Sequence, residues 1–122
     1  MSTIANKLER KKAAAPDETR AFSKGKIDVY SVGGTGVGVA TFEPGWKWSE
    51  CVKPIAGTPS CQAAHIGYVL SGRMKVVMDD GAAEEFGPGD LMSIPPGHDA
   101  WIVGSDTCRI VDWVAAATYA KK

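Results

Sequence analysis

At 122 residues the chain has the size of one domain, long enough to bury about two-thirds of the surface its unfolded form exposes. Fourteen basic residues balance fourteen acidic ones, so no net field draws it to nucleic acid or an anionic membrane, and no apolar run approaches a bilayer span. Lys7, Arg10, Lys11 and Lys12 are followed by no apolar stretch, which predicts no signal peptide, and three cysteines, an odd number, suit a reducing cytoplasm better than a disulfide framework.

Residues 1–15 read either as a short helix with Ile4 and Leu8 on one side, closed by Pro16, or as a loose polar arm. Pro16-Asp17-Glu18 is a turn or helix start, and Phe22 is placed to anchor an arm of residues 1–25 to a body of residues 26–122. From Lys26 the punctuation is that of an all-β protein. Ile27 to Val32 alternates cleanly, Gly33-Gly34 turns, and Val37 to Phe42 follows. The glycines from 33 to 38 lie between two strands and not before a helix, which argues against a phosphate loop. Glu43-Pro44-Gly45 turns into Trp46-Lys47-Trp48, again with period two, and residues 52–60 form an irregular loop carrying Pro54, Gly57 and Pro59.

The second half repeats the habit. Ile66 to Leu70 is an apolar strand, Ser71-Gly72 a turn, and Arg73 to Met78 a strand with Met74, Val76 and Met78 on one face. Asp79-Asp80-Gly81 signals a hairpin, and Glu84 to Phe86 gives a short strand. Gly87-Pro88-Gly89-Asp90 is a turn, Leu91 to Ile94 a strand, and Pro95-Pro96-Gly97 a stiff corner expected to lift His98 out of the ladder. Asp99 to Val103 and Thr107 to Val114 complete the set, and the alanine-rich tail from Ala115 is ambiguous. Short strands at such spacing, with no convincing helix between them, predict a sandwich or jelly roll and not a parallel α/β sheet.

The run from Gly87 to Trp101 resembles the second motif of the cupin superfamily, G-x5-P-x-G-x2-H. Gly89, Pro95 and Gly97 match it. The family's ligand position falls on Ala100, while His98 stands two residues earlier, and positions i and i+2 of a strand share a face. Against the first motif, G-x5-H-x-H-x3,4-E-x6-G, six residues separate His65 from Gly72, which sets His65 at the family's glutamate. Counting back from His65 sets Cys61 at the second histidine; counting forward from Gly45 sets Cys51 at the first. The stretches Gly45 to Glu50, Ser60 to Gln62, His65 to Val69 and Pro95 to Trp101 are together similar to small single-domain bacterial cupins.

That resemblance implies an all-β fold of the cupin double-stranded β-helix or jelly-roll type, with a short N-terminal arm. It also implies a divalent metal held by Cys61, His65, His98 and Cys51. Mixed His and Cys donors favour Zn²⁺, with Fe²⁺ or Ni²⁺ as alternatives. Trp48, Tyr68 and Trp101 are the expected lining for a small-molecule ligand, although aromatic residues in strands are more often plain packing. Glu50 and Asp99 could serve as acid/base groups or as partners of a histidine, and Cys108, with no histidine near it in sequence, reads as core. Three functions stay open: a metal-dependent enzyme acting on a small polar metabolite, a non-catalytic binding or sensor module, and a degenerate cupin with a structural metal. Edge strands of a jelly roll need cover, so a homodimer is the expected assembly.

Overall fold

The structure, a computed structural model, describes residues 7–114 and 119–120. Nine strands are present among them: β1 (Glu18–Phe22), β2 (Gly25–Val32), β3 (Thr35–Phe42), β4 (His65–Ser71), β5 (Met74–Met78), β6 (Ala83–Phe86), β7 (Leu91–Ile94), β8 (His98–Ile102) and β9 (Cys108–Asp112). They form a six-stranded sheet in the order β1-β2-β3-β9-β4-β7 and a three-stranded sheet in the order β6-β5-β8, every pair antiparallel. The expected all-β jelly roll is the observed architecture.

Period two decides the rest. In β4 the burial alternates, with His65, Gly67 and Val69 inside and Ile66, Tyr68 and Leu70 outside. In β9 Cys108, Ile110 and Asp112 are inside, and in β8 His98, Ala100 and Ile102. The inner faces of the two sheets meet in one core, from Ile27 and Phe42 through Val69 and Ile110 to Val76 and Ile102. Phe42 and Trp46 meet at a tilt with ring centroids 4.3 Å apart, and Phe22 adds its ring 5.9 Å from Phe42.

Several local expectations are corrected. Among residues 7–15 no helix forms, and Leu8 is fully exposed; Ile4 lies outside the described residues. The segment is nevertheless tied down. Tyr30 donates its hydroxyl to Ala13 O at 2.7 Å, and Asp17 accepts from Ser31 N, a bond that holds its carboxyl below the ordinary range. Residues 18–22, N-terminal to the first strand expected from the pattern, form the edge strand β1. Trp46-Lys47-Trp48 is not a strand: Lys47 makes one bridge to Trp101, and Trp48 opens the one-turn helix α1 (Trp48–Cys51). A second turn, α2 (Lys53–Ala56), occupies part of the loop read as irregular, with Pro54 in its first turn where a missing N–H costs nothing. Both tryptophans are buried all the same.

Candidate metal centre

Two backbone segments from different parts of the chain meet at one end of the barrel. Cys61 N donates to His98 O at 2.7 Å, and Gly97 N donates to Cys61 O at 2.7 Å, an isolated bridge that locks the two positions together before any side chain is considered. Gly97 makes this corner possible with a left-handed φ of 95°. His98 was expected outside the ladder; it is instead the first residue of β8, paired with Met78, and its ring is 3 % exposed. The prolines end β7 in the six-stranded sheet, and past Gly97 the chain enters the three-stranded sheet as β8, with His98 already in the ladder.

His65 enters from the other sheet as the first residue of β4. Its Nε2 lies 3.8 Å from Cys61 Sγ, and its ring centroid is 5.2 Å from that of His98. Donor atoms of Cys61, His65 and His98 all lie within 4.8 Å of one another, and all three residues are buried. Each imidazole is fixed through its other nitrogen. His65 Nδ1 is 2.7 Å from Asp112 Oδ2, and His98 Nδ1 is 2.9 Å from the carbonyl of Pro95. Both Nε2 atoms are thereby turned to the shared space, the arrangement that carboxylates and carbonyls impose on metal-ligating histidines.

The electrostatics follow from this contact set. Burial alone would push the Cys61 thiol up, but hydrogen bonds from His65 and His98 outweigh it and bring its pKa down to about 6. Burial alone would push His65 down; its bonds to Asp112 and Cys61 instead raise it to about 9. Between those values the two form a thiolate–imidazolium pair. Cys108, buried with no such partner, goes the other way, to about 11, in keeping with a core role.

The other expected site residues fall elsewhere. Cys51 is buried at the end of α1 and is not part of the donor group. Trp48 lines the inner cavity. Tyr68 and Trp101 do not: counted from His65 and His98, they sit at odd offsets and face outward, Tyr68 36 % exposed and Trp101 half-buried under Lys47, whose Nζ stands 5.4 Å from its ring centre. Glu50 is exposed, and Asp99 accepts from Ser49 N at 3.1 Å. Two participants went unread. Asp112 could have been found by carrying the inward parity of Cys108 and Ile110 two residues on. Tyr119, in the alanine-rich tail, packs edge-on to His65 at 5.4 Å and gave no signal in its neighbours. The inner cavity is small, about 30 Å³, and beside it an outer cleft of about 340 Å³ runs past Cys61, Gln62 and Val52. Trp46 lines the inner cavity, and its indole N–H is buried without an acceptor among the described residues.

A sequence model of the EutQ-like cupin domain matches residues 46–122, well over half of the chain. This chain is a EutQ-like cupin. No curated protein matches this cupin in sequence. Among solved structures it is similar to the polyketide cyclase RemF from Streptomyces resistomycificus, with 21 % identity and a TM-score of 0.59 over 87 % of this chain and 78 % of that one. A protein of unknown function from Rhizobium leguminosarum matches at 18 % identity and a TM-score of 0.59, covering 88 % of this cupin and 98 % of the other chain. Oxalate decarboxylase from Bacillus subtilis matches at 22 % identity and a TM-score of 0.52 over 79 % of this cupin, which corresponds to 26 % of that larger chain. At these identities the likeness is one of fold. No described helix of this cupin is long and apolar enough to cross a membrane.

Proposed function

We propose that this cupin holds a divalent metal ion between Cys61, His65 and His98 and uses it to bind, or act on, a small molecule. The observation that carries the reading is the buried trio of donor atoms within 4.8 Å of one another. A tetrahedral zinc site spaces its N and S ligands about 3.3 to 3.6 Å apart, so the 3.8 Å between Cys61 and His65 fits closure on an ion with little adjustment. Mixed thiolate and imidazole donors make Zn²⁺ the first choice, ahead of Fe²⁺ or Ni²⁺. When bound, such an ion supplies a Lewis acid for carbonyl or hydroxyl groups. This chain's own part is to present the Cys61 thiolate, to aim His65 through Asp112 and His98 through Pro95 O, and to keep bulk water out with Trp48 and Tyr119.

Three protein ligands leave one position for a ligand or water, whereas a structural zinc is closed by four. With Cys51 outside the group, the reading of a working centre is favoured over that of a structural metal, and an enzyme or a binding module both use it. Three free cysteines suit a reducing compartment, so the cytoplasm is the proposed location. The outward row Ile66, Tyr68, Leu70 and Leu91 is apolar and exposed on neighbouring strands, and a second copy of the chain is its proposed cover.

Elemental analysis of protein purified without added metal tests the central point. About one ion per chain is expected for a three-ligand centre, and none for His98→Ala with an unchanged fold. Wild-type protein that carries no metal and takes up none on dialysis against Zn²⁺, Fe²⁺ or Ni²⁺ retires the reading.

A further inference from the structure

One side chain divides the space at the site. Tyr119 lines both the inner cavity of about 30 Å³ and the outer cleft of about 340 Å³, and Trp48 borders both as well. The inner space, bordered by His65 and His98, holds roughly two water molecules at about 10–15 Å³ each and no organic molecule while Tyr119 is in place, and of the trio only Cys61 borders the outer cleft. The Tyr119 ring is 5 % exposed and stands edge-on to two rings, His65 at 5.4 Å and Phe22 at 6.1 Å. Its packing is therefore that of a ligand ring in an aromatic slot.

One described side chain reaches its backbone. Arg20 Nη1 donates to the Tyr119 carbonyl at 2.9 Å, while Arg20 Nε and Nη2 are engaged by Glu18 and stay so without Tyr119. The Tyr119 hydroxyl makes no hydrogen bond among the described residues. Ala120, directly after it, sits at φ 54°, a left-handed conformation that a residue with a Cβ adopts at a cost. The ring is thus well packed, and the residue after it carries backbone strain.

We propose that Tyr119 is a built-in stopper that occupies the ligand slot of the centre, and that its exchangeable counterpart is a planar aromatic molecule of about the size of phenol. The proposal rests on the reading of Cys61, His65 and His98 as the working centre, and it names the class of molecule that centre receives. A flat ring reproduces the edge contacts to His65 and Phe22; a puckered ring of equal volume does not. Release of Tyr119 joins the inner cavity to the outer cleft past Trp48, which gives the incoming molecule its route. Because the stopper is part of the chain, it competes at high effective concentration, and the apparent affinity of the wild type falls by the fraction of time the slot is open.

The test uses the full-length protein with its metal content measured, and p-cresol as the probe. Binding is followed by tryptophan fluorescence, since Trp46 and Trp48 line the inner cavity, and release of the stopper by hydrogen exchange of the C-terminal peptide. The expected result is that p-cresol binds the wild type and speeds exchange at Tyr119 and Ala120. Tyr119→Ala should bind it about tenfold more tightly, and 4-methylcyclohexanol should bind neither protein. Binding confined to Tyr119→Ala overturns the proposal, because any deleted ring leaves a hole that a ring can fill. So does wild-type binding without faster C-terminal exchange, equal binding of 4-methylcyclohexanol, or no binding at all. If Tyr119→Ala does not fold, Arg20→Met takes its place: it removes the donor to the Tyr119 carbonyl and should tighten p-cresol binding, and unchanged affinity overturns the proposal. Metal content separates this idea from the one it rests on. A protein that takes up metal but ignores p-cresol discards the stopper and keeps the metal centre. A metal-free protein that exchanges Tyr119 for p-cresol keeps the slot and discards the metal.

Discussion

Along β4, successive residues belong to different worlds. His65, Gly67 and Val69 face the barrel interior, where His65 meets Asp112, Cys61 and the ring of His98; Ile66, Tyr68 and Leu70 face out, beside Leu91 of β7. Strand β8 repeats the division, with His98, Ala100 and Ile102 inside and Asp99 and Trp101 on the other face. The inner face is crowded, polar at one end and sealed. The outer face of β4 is apolar and open. An aromatic residue in a strand therefore says nothing by its type about the site; its offset from a buried anchor says which face it serves.

Substitutions can break or sharpen that contrast. The largest effect is expected inside. Cys61→Ser should take metal content from about one ion per chain to near none by elemental analysis, as loss of one of three ligands leaves an incomplete site. Outside, Tyr68→Ser and Trp101→Ser should leave it unchanged, and a loss of metal in either would mean the two faces are not independent. Next in size is Asp112→Asn, which keeps the shape but weakens the acceptor that aims His65. Metal affinity measured against a competing chelator should fall by about 10- to 100-fold.

Packing should show the same asymmetry. A Cβ at Gly67 would sit 2.5 Å from Val111 O, where the backbone of β9 cannot give way. Gly67→Ala is expected to cost about 1–3 kcal/mol in chemical denaturation, whereas Ile66→Thr, one residue along and half exposed, should stay within about 0.5 kcal/mol.

Acidity offers a finer probe in the metal-free protein. His65 is raised from its ordinary 6.5 to about 9, so its stabilisation is complete below 6.5 and is lost as the pH rises through about 9. Cys61 is lowered from 9.0 to about 6, so its contribution is complete above 9.0 and is lost as the pH falls through about 6. The two windows overlap with opposite sign, so melting temperature in the wild type should stay nearly flat between about 6.5 and 9, whereas Cys61→Ser leaves the His65 contribution unopposed and should make it fall as the pH rises through that range. The smallest effect on folding is expected from Leu91→Ser, which touches only the open face. Its readout is light scattering: a dimeric wild type and a monomeric variant would assign that face to self-association, and a monomeric wild type would leave it uncovered.

Much of this was legible in the chain, for reasons that can be named. Turns made of Gly, Pro and Asp announce themselves, so the strands from Ile27 onward and the corners at Gly89 and Gly97 were readable, as were Cys61, His65 and His98. What failed was parity and distance. Tyr68 and Trp101 were chosen for their chemistry when the alternation that begins at His65 and His98 already turned them outward. Residues 52–60 hid a helical turn because four residues are too few for a periodic signal. Asp112 lies 47 residues from the histidine it orients, a pairing made by sheet order β9-β4 and invisible to local spacing. Tyr119 reaches the site by tertiary packing alone.

The bridge between Cys61 and His98 has a mechanical consequence. His65 is rooted in the six-stranded sheet and His98 in the three-stranded one, with Cys61 buttoned onto the latter by backbone bonds. Whatever ligates all three acts as a rivet through two plates whose inner faces otherwise meet by side-chain packing. Prying the sheets apart would then require pulling the rivet first, so loading the centre should slow unfolding more than it speeds folding. The molecule would carry its chemistry and its fastening at one point.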